Sequence, residues 1–411
     1  MKEVVIVDGV RTATGVYAGS LSNLEAPVHG AECVKEIVKR NDIKHEDIDE
    51  VIIGTHFQAG IKANSARQCT IYAGLPVTVP AFTPNKNCAT ALKAMQLAAQ
   101  SIQVGDNDLV IAGGTETMSK IPFLLKDARF GYRMGDPGEI GLNSPTAHPA
   151  KQANLVLDSM LYDGLVDPFE SYHMGITAEN VADKAGITRE MMDEFAVKSH
   201  QNAAKAWADG KYDNDIVPIK YKKRKEEVTF DHDETYNADI SYDKIAKLKP
   251  IFKPDGGRVT AANASPINDG SAVVLMMSKE KADALGLKPI AKYVGCVSTA
   301  LEPAIMGYAP VSAVEKLEKR TGIDRKDVGL WELNEAFAAQ AVACVQDLGL
   351  DPDLVNVNGG AIALGHAVGC TGARISITLM REMQRRDVQF GVSSLCIGGG
   401  QAMAMMFENV K

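Results

Sequence analysis

The stretch VKEIVKRNDIKHEDIDEVIIG, residues 34–54, has a counterpart near the other end of the chain, VEKLEKRTGIDRKDVGLWELN, residues 314–334. The two stretches align without a gap, so that Ile43 falls on Ile323. In both, apolar residues at helical spacing precede a polar turn and then a continuous apolar run. This pattern is typical of an amphipathic helix, a turn and a buried strand. The chain therefore contains an internal duplication.

The duplication continues beyond these stretches. The sequence CATA at Cys88 aligns with CTGA at Cys370, and a helical pattern follows each of them. Each helical pattern leads into an apolar strand that ends in glycines, DLVIAGGTE at 108–116 and VSSLCIGGG at 392–400. Helices that alternate with continuous apolar strands predict two α/β halves, with mostly parallel strands covered by helices.

The middle of the chain has a different composition. Residues 120–258 are rich in Met, Tyr, Pro, His and charged residues, which predicts an inserted, loop-rich domain. Strand character returns in VTAANASPINDGSAVVLMMS, and we expect it to complete the first half's sheet. The predicted domains are an N-terminal half at 1–119, completed by about 259–282, the insertion at 120–258 and a C-terminal half at 283–411. The predicted fold is a duplicated α/β/α layered sandwich with an inserted loop domain.

Composition excludes several classes of protein. The net charge of −8 argues against a general nucleic-acid binder or an anionic-membrane binder. No apolar segment has membrane-spanning length, the opening MKEVVIVDGVRTA lacks the layout of a signal peptide, and FENVK carries no peroxisomal or lipidation signal. The seven cysteines include no C-x-x-C pair, which suits a reducing compartment and argues against a zinc ribbon or a disulfide framework. We expect a cytoplasmic protein without a metal.

Cys88 lies in PNKNCATALKAM, where small and polar residues give way to apolar residues at helical spacing. The thiol is therefore expected at a helix N-terminus, where free backbone N–H groups and the helix dipole favour a thiolate. Such a position predicts a thiol pKa below its free value of roughly 8.5. A buried cysteine that packs at the start of a helix is the alternative interpretation of this stretch alone.

If a pseudo-twofold axis relates the halves, the turns after equivalent strands lie near one another. These turns carry Cys88, Asn334, His366 and Cys396, the last just ahead of Gly398. A thiol nucleophile, an imidazole base, a second thiol and free glycine N–H groups suit acyl transfer with movement of a carbon-bound proton. Each residue alone also has a purely structural interpretation, and only the set favours a site. The cysteines inside apolar patterns are interpreted as structural; they are Cys33, Cys69, Cys296 and Cys344.

Together the motifs resemble those of the thiolase family, of the acetyl-CoA acetyltransferase or 3-ketoacyl-CoA thiolase type. The resemblance covers essentially the whole chain, and the motifs stand in the family's order. They are RTATGVYAGSL at 11–21, NSARQ at 64–68, NKNCATALKAM at 85–95, GGTETMS at 113–119, DGLVDPFESYHMGITAEN at 163–180, TAANASPINDGSA at 260–272, NEAFAAQ at 334–340, GGAIALGHAVGCTGAR at 359–374 and CIGGGQAMAM at 396–405.

The resemblance implies roles for the turn residues. Cys88 would take the acyl group as a thioester after activation by His366, and Cys396 would exchange the α-proton of the other acyl-CoA. One oxyanion hole would use His366 and a water held by Asn334. The second would use the backbone N–H groups of Cys88 and Gly398. The implied activity is cleavage of acetoacetyl-CoA by CoA, or condensation of two acetyl-CoA molecules.

The resemblance also implies acyl-CoA and CoA as ligands, with no separate cofactor, and a homodimer or homotetramer. His173 and Met174 would line the acyl end. The basic run Lys220 to Arg224 could meet the CoA phosphates by charge. A solvated loop is at least as good an interpretation of that run. The pantetheine arm would lie over four matching positions, Ala261, Ser265, Ala336 and Phe337.

Several positions depart from the family pattern without removing a group of the predicted site. Ala367 stands where the family usually has proline, which predicts a less rigid His366 turn. Thr90 adds a methyl group beside the nucleophile, and segment 136–155 is longer than usual. These departures leave the acyl chain length, the nucleotide contacts and the tetramer open. The other departures are Cys370, Ala262, Pro266 and Asn237.

Other functions remain as alternatives. A degradative 3-ketoacyl-CoA thiolase for longer or unusual acyl chains is the second candidate. A decarboxylating ketosynthase has no second catalytic thiol, so Cys396 before Gly398 argues against it. A non-catalytic scaffold would have degraded motifs, whereas all four turn groups are present. An NAD enzyme is disfavoured, because no strand is followed by G-x-G-x-x-G.

Overall fold

The computed structural model describes residues 1–125, 128–130, 156–223 and 225–410. The strands are β1 Val4–Thr12, β2 Gly15–Val16, β3 Glu50–Gly54, β4 Ala81–Phe82, β5 Leu109–Thr117, β6 Phe123–Leu125, β7 Val156–Asp158, β8 Ile216–Val217, β9 Ile219–Lys223, β10 Glu226–Phe230, β11 Asn268–Ser278, β12 Ala291–Ala300, β13 Val328–Leu333, β14 Phe390–Ile397 and β15 Gln401–Asn409. The helices are α1 Ala26–Arg40, α2 Ser65–Tyr72, α3 Thr90–Val104, α4 Met174–Ala185, α5 Arg189–Ala208, α6 Tyr242–Ile245, α7 Lys279–Ala284, α8 Ala309–Thr321, α9 Ala338–Leu348, α10 Ala361–Leu364 and α11 Thr371–Arg386. In this described part of the chain, no helix is long and apolar enough to cross a membrane.

The duplication is confirmed in these elements. Helices α1 and α8 are each followed by a short 3-10 turn, His45–Asp47 and Arg325–Asp327, and then by the buried strands β3 and β13. Both helices carry basic residues in their last turn, where they complement the negative end of the helix dipole. Helix α3 likewise begins two residues after Cys88, and α11 begins directly after Cys370.

The strands of the two halves form one sheet. Among the described residues it has eleven strands, in the order β13-β14-β15-β12-β1-β11-β5-β3-β4, with β2 beside β11 and β8 beside β1. The order from β13 to β3 reads as two equivalent halves on either side of the β12–β1 contact. In that contact Val5 and Ile6 pair antiparallel with Lys292 and Ala291. Strand β11 lies between β1 and β5, so the chain after the insertion returns to the first half.

The expectation of mostly parallel strands was wrong. Among the described pairings, only β3–β4, β3–β5, β13–β14 and the short β1–β8 are parallel. Strand β14 reverses into β15 through the glycine turn 398–400 rather than through a helix, which makes these neighbours antiparallel. The buried apolar runs follow from helical layers on both faces of the sheet and not from parallel pairing.

The helices form three layers, one between the two halves of the sheet and one over the outer face of each half. Helices α3 and α11 lie in the middle, in one apolar cluster that joins strands of both halves. Nearly every residue from Thr371 to Met383 of α11 is buried, as expected for a helix enclosed on all sides. Helix α1 covers the outer face of the first half and α8 and α9 that of the second. Helices α4 and α5 of the insertion pack on α9, and together these layers bring the loops around Cys88 and Cys396 to the same place.

A buried ion pair ties the insertion to β1, and breaking it should destabilise the fold. Arg11 binds Asp233 through two hydrogen bonds of 2.8 and 2.9 Å, and the side chains are 1% and 0% exposed. Asp233→Ala leaves the guanidinium buried without its carboxylate, so we expect the free energy of unfolding to fall by about 3–5 kcal/mol. Chemical denaturation measures this change. The control is Glu32→Ala, which removes an exposed pair with Lys35 and should change stability by less than about 1 kcal/mol. Equal effects of the two variants would contradict the expectation.

Candidate active site

Cys88 lies in a short 3-10 turn, Asn87–Ala89, directly before α3. It is half-buried, and its side chain contacts an apolar cluster formed by residues from four separate segments. The sulfur receives a hydrogen bond from the backbone N–H of Gly398, in the turn between β14 and β15. The nucleophile predicted from the first half therefore touches the glycine turn of the second. The main members of the apolar cluster are Phe57, Met118, Met160 and Val368.

The expected lowering of the Cys88 pKa was wrong. Burial raises the pKa of this thiol to about 11, and the N–H of Gly398 offsets the effect only in part. Removal of a sulfur from water disfavours its charged form more than the start of a helix favours it. At neutral pH Cys88 is therefore a thiol, and a nearby base must take its proton before it can act as a nucleophile.

This pKa has a measurable consequence. In the substrate-free protein, the rate at which iodoacetamide alkylates Cys88 should rise about tenfold per pH unit from pH ~7 to ~9.5, without a plateau. The reason is that the thiolate fraction grows with pH as long as the pH stays below the pKa near 11. Peptide mass spectrometry measures the rate, and a Cys88→Ala variant identifies the signal. A plateau below pH ~8 would instead show a stable thiolate–imidazolium pair.

His366 lies in the tight turn that precedes α11. Its backbone N–H donates to Asn268 Oδ1 at 2.8 Å, and the ring is 7% exposed. The Thr371 hydroxyl donates to the carbonyl of Ala367 at 2.8 Å, so it accepts a hydrogen bond from His366 Nδ1 at 2.7 Å. Nδ1 therefore carries the proton, and Nε2 is left unprotonated.

The charge state of His366 suits a base. Burial, followed by the nearby charges of Arg374 and His56, lowers the pKa of His366 to about 3. The imidazole is neutral at physiological pH and can accept a proton at Nε2. Asn334 Nδ2 lies 3.5 Å from this nitrogen. Asn334 Oδ1 is buried and has no hydrogen-bond partner within the described chain, so this amide has capacity left for a ligand or a water.

Cys396 is the next-to-last residue of β14 and is fully buried. Its Sγ lies 3.9 Å from Gln340 Oε1, close enough for the thiol to donate to the amide oxygen. Burial, and then the neighbouring sulfurs of Cys88 and Cys344, raise the pKa of Cys396 well above its ordinary value. Cys396 is therefore a neutral thiol near Cys88, able to give a proton to a carbon or to take one from it.

The glycine turn after Cys396 leaves no room for side chains. Gly399 and Gly400 have φ values of 85° and 81°, which other residues rarely adopt. A methyl group on Gly398 would come within 3.0 Å of Met174 Cε. Met174 therefore lies directly over the turn whose N–H points to Cys88.

His173 and Met174 begin α4, where His173 Nδ1 accepts the N–H of Gly175. The His173 ring stacks on Phe252 with centroids 4.4 Å apart and an angle of 17°. Met174, Phe337 and Cys396 belong to one apolar cluster. The structure thus brings the predicted acyl-end residues to the second thiol.

Three of the four positions predicted for pantetheine lie side by side. The N–H and hydroxyl of Ser265 donate to the Ala336 carbonyl at 3.0 and 3.1 Å, and Ala264 forms a β-bridge with Phe337. Ala261 is exposed in the preceding turn, which is closed by a bond from the Asn263 N–H to the Thr260 carbonyl. Ser265, Ala336 and Phe337 therefore form one continuous surface beside Phe252. Among the contacts of the described residues, none connects Ala261 to this surface.

The basic run lies in a surface hairpin and Asn237 in a separate loop, and the contact of the run with the CoA phosphates stays a prediction. Lys220 and Lys222 lie on β9, which pairs with the acidic strand β10, and Ile219 and Phe230 attach this hairpin to the core of the first half. Asn237 is turned toward its own loop, where its Oδ1 accepts the Asp239 N–H. Arg224 and segment 136–155 lie outside the described residues.

Two departures from the family pattern have local roles. The Thr90 hydroxyl accepts the Lys86 N–H at 2.8 Å, so it stabilises the turn that carries Cys88. The Ala367 carbonyl accepts the N–H groups of Cys370 and Thr371 at 3.0 and 3.1 Å. The His366 turn is thus closed by backbone hydrogen bonds around the position where proline is usual.

Sequence reasoning missed three neighbours of the site. Gln340 is the last residue of the motif NEAFAAQ, which begins at Asn334. Its place in that motif was the signal that could have identified it as a neighbour of the site. Thr371 stands five residues after His366, at the start of α11, and its hydroxyl orients the imidazole. Phe252 had no signal, because only the folded insertion brings it to His173.

Comparisons with known proteins agree along the whole chain. The model of the thiolase N-terminal domain matches residues 4–280, and that of the thiolase C-terminal domain matches residues 287–409. An acetyl-CoA acetyltransferase of Chromobacterium violaceum is 49% identical over 407 residues, 99% of each chain. A probable acetyl-CoA acyltransferase of Staphylococcus aureus is 46% identical over 412 aligned residues, 100% of each chain. The crystal structure of the Bacillus anthracis acetyl-CoA acetyltransferase superposes with a TM-score of 0.93 at 41% identity, covering 100% of this chain and 99% of that one.

Proposed function

We propose that this chain, which belongs to the thiolase family, is an acetyl-CoA C-acetyltransferase that cleaves acetoacetyl-CoA with CoA or condenses two acetyl-CoA molecules. The observation that carries the proposal is the meeting of Cys88 with the Gly398 N–H, beside a second buried thiol. A single nucleophile would serve many acyl transfers. The second thiol suits a reaction that breaks or makes a carbon–carbon bond without decarboxylation, because the carbanion must then gain or lose a proton.

In the cleavage direction, His366 Nε2 takes the Cys88 proton and the sulfur attacks the 3-keto carbon. The N–H groups of Cys88 and Gly398 would stabilise the resulting oxyanion. The bond between C2 and C3 then breaks, and its electron pair forms the enolate of acetyl-CoA. Cys396 protonates that enolate, while His366 and Asn334 would stabilise its oxygen through a hydrogen bond and a water.

The second half of the reaction restores both thiols. The Cys396 thiolate takes the proton of the incoming CoA thiol, whose sulfur attacks the acetyl-Cys88 thioester. The Cys88 sulfur leaves and recovers its proton from His366. The neutral resting states of Cys88, His366 and Cys396 agree with this cycle, since each group gives up or accepts one proton and returns it.

A short acyl group suits the surroundings of Cys88. Phe57 and Met160 pack around the nucleophile, and Met174 covers the glycine turn on the other side. Large apolar side chains at these positions limit the length of a bound acyl chain. The test is CoA-dependent thiolysis by the purified protein, comparing kcat/KM for acetoacetyl-CoA with that for longer 3-ketoacyl-CoAs. Preference for acetoacetyl-CoA supports the proposal. Preference for longer substrates would favour the degradative thiolase, and cleavage of no substrate would favour the scaffold.

The remaining parts of the proposal concern assembly and location. Coenzyme A enters as a substrate, without a separate cofactor, and the protein acts as a homodimer or homotetramer in the cytoplasm. The sheet edge supports a subunit contact, because Val77 before β4 and Phe82 on it are 75% and 37% exposed. The seven free cysteines suit a reducing compartment. Light scattering on the purified protein measures the number of subunits.

A further inference from the structure

Asn87, next to the nucleophile, has an unusual backbone conformation and a specific contact. Its φ is +47°, in the left-handed region that asparagine tolerates better than most residues. Its Nδ2 donates to the carbonyl of Gly398 at 3.2 Å. One side chain thus joins the Cys88 turn to the glycine turn, whose N–H contacts the Cys88 sulfur.

Asn85 continues this connection away from the glycine turn. Its Oδ1 accepts the backbone N–H of Asn87 at 3.0 Å. Its Nδ2 donates to the carbonyl of His56 at 3.0 Å, in the segment that follows β3. Both ends of the amide are therefore used, which fixes the left-handed residue relative to the sheet.

Glu116, at the end of β5, carries the connection to the His366 turn. Its Oε2 accepts the backbone N–H groups of His56 and Gly369, both at 2.9 Å. Its Oε1 accepts the Thr55 hydroxyl at 3.0 Å and the Phe57 N–H at 3.2 Å. The side chain is 1% exposed, so this buried carboxyl is held by four donors from two segments.

We propose that Asn87, Asn85 and Glu116 are positioning residues that hold the three turns of the active site in register through one hydrogen-bonded chain. The chain runs from Gly398 through the two asparagines and the His56 backbone to Glu116 and Gly369. The inference deepens the proposed function and rests on it. Within the described chain, no backbone–backbone hydrogen bond joins one of these three turns directly to another. A displacement of about 1 Å between reacting groups can lower a rate about 100-fold.

Asn87→Gly tests the first link without straining the backbone, since glycine adopts positive φ freely. We expect kcat for thiolysis to fall about 10- to 100-fold, while KM for CoA changes less than about threefold. The control is Asp42→Gly, which makes a similar replacement at an exposed residue with φ +49° in the turn after α1 and should leave kcat unchanged. A kcat of Asn87→Gly within about twofold of the unmodified protein would overturn the proposal.

Coupling between links tests whether they form one chain. Asn85→Ala should lower kcat by a similar factor, and the Asn85→Ala/Asn87→Gly double variant should lose little more than the worse single variant. If the double variant loses kcat by the product of the two single factors, the two links act independently, and the proposal of one connected chain is overturned. Glu116→Gln places an amide N–H₂ against at least one of the four donors and should lower kcat at least tenfold if the variant folds. If Glu116→Gln does not fold, Asn85→Ala and Asn87→Gly still decide the proposal.

A second readout separates failure of this inference from failure of the proposed function. Alkylation of Cys88 by iodoacetamide needs no substrate. Because the Gly398 N–H lowers the pKa of Cys88, its displacement in Asn87→Gly should slow alkylation at pH ~9 by about threefold or more. If the unmodified protein cleaves no 3-ketoacyl-CoA, the function fails while this measurement still supports or overturns the positioning role. An unchanged alkylation rate overturns it.

Discussion

Cys88→Ala is expected to abolish thiolysis of acetoacetyl-CoA, with a loss of kcat of at least about 10⁴-fold. In the proposed reaction Cys88 carries the acyl group between the two halves, and no other described thiol has its environment. Cys396 is fully buried and bonded to Gln340, so it is not placed to replace the nucleophile. The decrease in absorbance of the substrate's enolate measures the rate.

The matched control for this variant is Cys69→Ala. Cys69 is also a free cysteine, but it is fully buried in the core cluster of the first half, where its thiol faces the Pro27 carbonyl. Its replacement removes one buried sulfur and should leave kcat within about twofold. Comparable activity of Cys88→Ala and Cys69→Ala would rule out an acyl-Cys88 intermediate.

Cys396→Ala is expected to separate the two halves of the reaction. Cleavage and condensation both move a proton at carbon, so each should slow by at least about 10³-fold. Exchange of labelled CoA into acetyl-CoA moves no carbon-bound proton. The proton that Cys396 takes from the CoA thiol can also pass to solvent, because a free thiol has a pKa of roughly 8.5, so exchange should be impaired much less. The acetyl group still reaches Cys88, since the Gly398 N–H and His366 are unchanged. Isotope exchange and thiolysis are measured on the same preparation.

Cys344→Ala is the control for Cys396→Ala. Its thiol lies in α9, near Cys396, and faces the Gly307 carbonyl at 3.5 Å. We expect both thiolysis and exchange to persist in this variant. Equal losses of exchange and thiolysis in Cys396→Ala would instead indicate that Cys396 maintains the shape of the site rather than transferring a proton.

The duplication made the fold predictable, because both copies carry the same helix, turn and strand pattern over an ungapped alignment. The direction of the strands was not predictable in this way. A buried apolar run is compatible with either direction, and only the return of β14 into β15 through 398–400 sets it. Segment composition predicted an insertion at 120–258, yet it contained no sign of the buried pair between Arg11 and Asp233.

The candidate site was predicted from residues whose chemistry is visible in their motifs, and their catalytic roles stay predictions. Cys88, His366 and Cys396 were named on that basis. The pKa of Cys88 was wrong because sequence shows a helix start but not the loss of water around the sulfur. Asn87 and Glu116 lie inside the motifs NKNCATALKAM and GGTETMS, but the sequence predicted no role for them. The reason is that their hydrogen-bond partners are backbone groups from distant segments.

The most direct test of the account is to trap the acyl enzyme. The protein is incubated with acetoacetyl-CoA without free CoA, quenched in acid, digested and analysed by mass spectrometry. The account predicts one acetyl group on the peptide that contains Cys88, and its loss when CoA is added before quenching. Acetylation of another residue, or its absence from an active preparation, would contradict the claim that Cys88 carries the acyl group.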